Sequence, residues 1–275
     1  MSDPIAATLP ADVFALLEEL LTSIRLALGR NLLGLYLRGS LALGDFDPET
    51  SDVDVLIVTR TRVTETEFEA LRAMHERLRA LTNRCAEGLE VAYFDAEAAR
   101  RWTPEQRHPT ITSHDPLRWE KHESNWLFDR WMARESGIAL YGPDPREVFD
   151  AISDEELREA ARLRLADWAR WAAAVPAEER AWLNERAHQA YMVETTSRAL
   201  YTLSYGRLST KPEAVSWALQ ALPKRWRTLA ERSRVWRSDH RPDSSTVPGV
   251  LQFIAWAAAQ AGRQPVTPWC LNTTR

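Results

Sequence analysis

The sequence predicts an α/β domain with a small mixed sheet, followed by an all-α helical bundle. Two observations predict it. Up to Phe94, short apolar runs bounded by glycine and polar turns alternate with amphipathic segments. From Ser153 onward the apolar residues recur almost wholly at helical spacing. A turn-rich break, Tyr141-Gly142-Pro143-Asp144-Pro145, separates the two patterns. The domain boundary is therefore placed near Asp150, with residues 1–150 as the α/β domain and 151–275 as the bundle.

The first predicted helix runs through "LPADVFALLEELLTSIRLALG", with Val13, Leu16, Leu17, Leu20 and Leu21 on one face and Gly29 as its stop. "LLGLYLRGS" is a strand that ends at Gly39, and "SLALG" is a short helical stretch. "DVDVLIVT" is a second strand, apolar on both faces after its opening residues and so expected in the middle of the sheet. "TETEFEALRAMHERLRALTN" is a helix and "LEVAYFD" a third strand. Residues 99–119 read as a polar, proline-punctuated excursion, and a helix follows through "HESNWLFDRWMARESG". In the second half, Ser153 and Glu156 form a capping box that starts a helix, Pro176 opens the next, and Gly206 closes it. Three more helices are expected at "TKPEAVSWALQAL", "RWRTLAERSRVW" and "PGVLQFIAWAAAQ".

A net charge of -4 argues against a nucleic acid polymer as partner, because such a partner needs a dense basic face. Two cysteines offer no disulfide framework or thiolate zinc site. No apolar stretch approaches the ~20 residues of a membrane span, and a secretory leader is not evident, so a cytoplasmic protein is expected. Twelve tryptophans serve helix interfaces or ligand clefts equally well.

The chemistry concentrates in "GSLALGDFDPETSDVDVLIV". Residues two apart on a strand point to the same side, roughly 6.5–7 Å apart, so Asp52 and Asp54 project together from the head of an apolar strand. Two carboxylates held together there repel each other and lose hydration. A divalent cation such as Mg²⁺, completed by substrate phosphates, offsets both costs; a solvated pair of turn residues is the plainer alternative. Upstream, Gly39 permits close backbone approach, and Ser40 adds a hydroxyl beside the free N–H groups of a helix start, a combination that suits phosphate. Glu90 opens the "LEVAYF" strand as its one acid, either a metal-adjacent base or an edge-strand charge that deters aggregation.

The order Gly39-Ser40, Gly44-Asp45, Ser51-Asp52-Val53-Asp54, with "LEVAYF" later, resembles the nucleotidyltransferase superfamily built on the DNA polymerase beta catalytic core. Within it the chain is most similar to the aminoglycoside 3''/9 adenylyltransferases. "GIALYGPDPREVF" and "SRALYTLSYGRLSTKPEAVSWALQALPKRW" resemble that family's domain junction and helical domain, and the likeness spans about Leu32 to Trp226. It implies ATP as donor, two Mg²⁺ ions, and transfer of AMP to a substrate hydroxyl with release of pyrophosphate. Asp52, Asp54 and Glu90 would hold the metals, Glu90 also acting as base. Gly39 and Ser40 would contact the nucleotide, and Lys211 would reach the triphosphate. Thr210 and Glu213 can form a capping box that puts Lys211 in a helix's first turn, where an anionic ligand relieves an otherwise unfavourable cation.

The acceptor is expected to be a hydroxylated small molecule of the aminoglycoside kind. A family acid that binds the cationic drug aligns with His188, and Glu185, one turn earlier, can compensate, with Glu194 as a further candidate. Trp119 is the counterpart of a drug-contacting tryptophan, with Trp126 and Trp131 as rivals. His122 and Glu123, with His188, are too scattered for a zinc motif. The protein is expected to act as a monomer. Another metabolite or a protein side chain as acceptor, and a non-catalytic nucleotide-binding module, are the competing readings. The intact carboxylate set speaks against the last.

Overall fold

The computed structural model describes residues 9–112 and 115–262. The chain divides into two compact units, residues 1–151 and 152–275. The first begins with α1 (Ala11–Leu28), which ends at Gly29 in the left-handed region, φ 51°. A 3-10 turn leads into β1 (Leu32–Leu37), a short helix α2 (Gly39–Leu43) and β2 (Val53–Thr59). Then come α3 (Glu65–Arg79), β3 (Leu89–Asp95), α4 (Ala96–Arg100), β4 (Arg107–Ile111), β5 (Arg118–Lys121), α5 (Trp126–Ser136), β6 (Ile138–Tyr141) and α6 (Pro145–Val148).

Among the described residues, six strands form one sheet in the order β5-β4-β3-β2-β1-β6. β2 and β3 run parallel, and the other neighbours are antiparallel. β2 is interior, as its apolar run requires. β3 is interior too, so Glu90 is not an edge-strand charge. Side chains alternate between the faces. Leu35, Leu37, Val53, Val55, Ile57, Val91 and Tyr93 pack on one side with the apolar stripes of α1 and α3. Tyr36, Leu56, Val58, Ala92 and Phe94 pack on the other with residues of α4, α5 and α6.

The structure departs from the sequence expectation at three places. Residues 99–119 are not merely an excursion: they contain β4 and lead into β5. "IALY", read as part of the junction, is the edge strand β6 beside β1. In the second unit the helix expected from Pro176 to Gly206 is broken in two.

That unit consists of α7 (Asp154–Ala173), α8 (Ala177–Leu183), α9 (Arg186–Tyr205), α10 (Lys211–Ala221), α11 (Lys224–Trp236) and α12 (Val247–Ala261). Capping boxes start α7 at Ser153/Glu156 and α10 at Thr210/Glu213, each satisfying two backbone N–H groups that lack helical partners. α9 is the central helix, packed by α7, α10, α11 and α12. It starts afresh at Arg186 because the Arg186 and Ala187 N–H groups donate to the Arg241 and Asp239 carbonyls, at 3.1 and 3.0 Å. No helix among the described residues is long and apolar enough to cross a membrane.

Candidate active site

Strand register brings the first two acidic positions together. Asp54 lies directly opposite Glu90 across the parallel β2–β3 pair, and such strands are about 4.8 Å apart. Both side chains belong to the face that carries Leu56, Val58, Ala92 and Phe94. Asp52 is exposed just before β2. It is held near β3, since the Val53 N–H donates to the Gly88 carbonyl at 2.8 Å. Gly39 has φ 69°, a left-handed conformation, and a Cβ at this position would collide with Asp54 Oδ2. Glycine is thus required twice over, for the turn and for the approach of the turn to the carboxylate. Ser40, half-buried, follows it in α2, and Gly44 closes that helix.

A cation is built in beside these acids. Arg38, the residue between β1 and the glycine, donates its backbone N–H to the Asp54 carbonyl at 3.0 Å. Its Nη1 lies 3.1 Å from Asp54 Oδ1 and 2.7 Å from Asp129 Oδ1 on α5. The guanidinium also sits over the Trp126 ring, 5.7 Å from its centroid. Burial works against the charge of Arg38, yet Asp129, Asp54, Glu90 and Asp52 together hold its pKa above the ordinary arginine value. Asp54 shows the opposite balance. Burial pushes it up to about 7, and Glu90, Asp129 and Asp52 add to the rise that Arg38 opposes. The site therefore holds more negative charge than one arginine comfortably balances.

Such a donor set suits a hard divalent cation. Among the described residues no three His, Cys, Asp or Glu side chains form a ready-made cage. Mg²⁺ does not need one, because it binds through one or two carboxylates and takes its remaining ligands from water and phosphate. Asp52 and Asp54, with Glu90 beside them and the Gly39–Ser40 turn alongside, meet that requirement.

The tryptophans separate by face. Trp119, on β5, stacks on Phe68 of α3 at 5.4 Å, with the Arg62 guanidinium over its ring, 5.2 Å from the centroid. It packs with the α1/α3 core, on the side of the sheet away from Asp54 and Glu90. Trp126, on α5, is on the carboxylate side, stacked on His122 at 3.6 Å and next to Arg38.

The remaining expected site residues lie in the second unit. Lys211 occupies the first turn of α10, its Nζ 5.2 Å from the centroid of the Tyr191 ring. Close by, Glu194 is 1 % exposed and paired with Arg237 at 3.0 Å. Burial raises its pKa, while Arg237, Lys211 and Arg198 pull it down. Glu185 is the N-cap residue of α9 and not part of a continuous helix. It still comes within 3.9 Å of His188 and accepts a hydrogen bond from His240. His188 stacks on Trp182 at 4.3 Å.

Residues 18–99 match the nucleotidyltransferase domain family, and residues 147–253 match the aminoglycoside adenylyltransferase C-terminal domain. The chain combines these two domains. This nucleotidyltransferase is 25% identical over 240 residues to the aminoglycoside (3'') (9) adenylyltransferase of Shigella flexneri, covering 82% of this chain and 85% of that one. To the spectinomycin 9-adenylyltransferase of Campylobacter jejuni it is 24% identical over 211 residues, 72% of this chain and 75% of the relative. Its fold matches the spectinomycin adenyltransferase of Enterococcus faecialis, solved with ATP and spectinomycin, at a TM-score of 0.70. That match has 15% identity and covers 90% of this chain and 98% of the other.

Two residues of this charged cluster escaped the sequence reading, Arg38 and Asp129. Arg38 had a signal, since it is the one charged residue at the end of an otherwise apolar strand, next to the phosphate-type turn. Asp129 had none, because an acid flanked by Arg130 in an amphipathic helix looks like solvated surface.

Proposed function

We propose that the chain transfers AMP from ATP to a hydroxyl of a small molecule of the aminoglycoside or aminocyclitol class, releasing pyrophosphate. The observation that carries the reading is the placement of Asp54 opposite Glu90 at strand heads, with Asp52 beside them and the Gly39–Ser40 turn against Asp54. Asp52 and Asp54, with Glu90, are the ligands for Mg²⁺, which when bound neutralises phosphate charge and stabilises the leaving pyrophosphate. Gly39 lets the backbone approach the nucleotide, and Ser40 offers its hydroxyl to a phosphate oxygen. Glu90 accepts the proton of the acceptor hydroxyl as it attacks phosphorus. Lys211 binds the triphosphate from the first turn of α10.

For the acceptor, Glu185 and His188 offer an acid and an imidazole on one surface beside Trp182, suited to an amino sugar. The packing of Trp119 on Phe68 favours Trp126 in its place as the aromatic group near the carboxylates. The chain works in the cytoplasm as a monomer and takes no nucleic acid polymer, in keeping with its acidic balance.

The test is pyrophosphate release from Mg·ATP with streptomycin, spectinomycin and other aminoglycosides, with Asp52→Asn as the control. Release that requires one drug and is lost in Asp52→Asn, together with weaker Mg·ATP binding, supports the reading and names the substrate. ATP binding with no drug-stimulated release redirects the acceptor to another metabolite or a protein side chain. Normal Mg·ATP affinity and turnover in Asp52→Asn removes the metal assignment.

A further inference from the structure

We infer that Arg38, anchored by Asp129, is a positioning residue that aims the Asp54 carboxylate at the Gly39–Ser40 turn, where the metal-bound phosphates are received. The inference rests on the metal reading given above. Its geometry is specific to the two oxygens of Asp54. Oδ1 is taken by Arg38 Nη1 at 3.1 Å. Oδ2 is the atom that a Cβ on Gly39 would meet first, so it faces the turn. One oxygen is held from behind and the other is presented forward.

Arg38 is itself fixed on several sides. Its backbone N–H bonds the Asp54 carbonyl, which locks the two strand ends in register. Asp129 takes the same Nη1 at 2.7 Å, and Trp126 covers the guanidinium plane. The Arg38 side chain is 7% exposed, so solvent does little to screen these contacts. An arginine placed to neutralise Asp54 alone would use its fork on both carboxylate oxygens. Here the guanidinium nitrogen nearest to Asp54 is also the one nearest to Asp129, on a different element, and Oδ2 faces the turn. Partners of this kind behind a metal carboxylate orient it, and their loss typically costs about 10–100-fold in metal affinity.

The experiment titrates the full-length protein with Mn²⁺ in the presence of ATP and no acceptor, following the free-ion signal by electron paramagnetic resonance. Arg38→Met is expected to lower Mn²⁺ affinity about 10–100-fold. Arg38→Lys, which keeps a positive charge between the two acids, is expected to restore part of it. Asp129→Asn, which leaves the Arg38–Asp54 pair but loosens its anchor, is expected to fall between wild type and Arg38→Met. A folded Arg38→Met with wild-type Mn²⁺ affinity overturns the inference. If that variant does not fold, wild-type affinity in Asp129→Asn overturns it. Absence of Mn²⁺ binding by the wild-type protein is a different result, which overturns the metal reading itself.

Discussion

The two faces of the central sheet are made by the same strands and have opposite characters. On the face covered by α1 and α3, the buried residues are almost all aliphatic or aromatic, from Val13 and Leu16 through Ile57 to Met74. On the other face an apolar strip of Tyr36, Leu56, Val58, Ala92 and Phe94 gives way to Arg38, Asp54, Glu90 and Asp129, with Arg130 buried over Phe94. Burying charge is expensive, and a fold that needed only stability would not repeat it on one side. The first face serves packing, and the second gives up part of its packing to a cluster of charges. The comparison makes a definite claim: substitutions of the acids on the second face should change chemistry more than stability, and those of the apolar residues on the first should do the reverse.

The largest expected effect is at Glu90. Replacement by Gln keeps its size and removes the base, so transfer should fall ~10²–10⁴-fold, equivalent to about 3–5 kcal/mol of barrier. ATP binding and melting temperature should stay near wild type. Unchanged turnover would take Glu90 out of the mechanism. The mirror experiment is Leu71→Ala on α3. Leu71 is fully buried in the α1/α3 core, and the cavity should cost about 2–5 kcal/mol of stability. Turnover per folded molecule should be unchanged below the melting transition. A Leu71→Ala enzyme that is stable but slow would break the division between the faces.

The same division explains what could be read from the sequence. The first face was legible, because α1, β2 and α3 present apolar residues at regular helical or strand spacing. The carboxylate positions were legible too, since acids heading an apolar strand are locally anomalous. β4 was missed because a proline and buried polar residues interrupt its apolar pattern. His108, Pro109 and Thr110 fill "RHPTI", and Thr110 is buried by bonding the His122 ring at 2.8 Å and the His108 carbonyl at 3.0 Å. Polar groups buried in this way do not register as a hydrophobic strand. The break between α8 and α9 was missed for a related reason. It contains no glycine or proline, and the hydrogen bonds that restart the helix come from carbonyls more than fifty residues away in sequence. Arg38 and Asp129 are 91 residues apart in the chain and acquire their meaning only as a pair.

The smallest expected effect tests how far polarity alone distinguishes the faces. His122 and His108 lie on the charged side, packed against Phe94. Burial, aided by neighbouring His108, Arg130 and Arg38, pushes His122 down to about 2, and burial pushes His108 to about 4. The apolar side has its own buried imidazole, His75, bonded to the Tyr93 hydroxyl at 2.6 Å and pushed by burial to about 3. A histidine whose folded pKa is depressed contributes stability above its unfolded value, near 6.5, and that contribution is lost as pH falls toward the folded pKa. Below pH 6.5 the unfolded chain takes up protons that the folded one refuses. Stability should therefore decline by up to about 1.4 kcal/mol per pH unit for each such group. Denaturant unfolding between pH 7 and 5 should show this slope, and His122→Gln and His75→Gln should each reduce it by the share of one proton. Equal reductions would mean that what sets the faces apart is buried charge, since each buries a neutral histidine at the same cost in acid. A slope that survives His122→Gln but not His75→Gln would mean that His122 is charged in the folded protein, and the cluster around Arg38 would then be more cationic than its arginines alone make it.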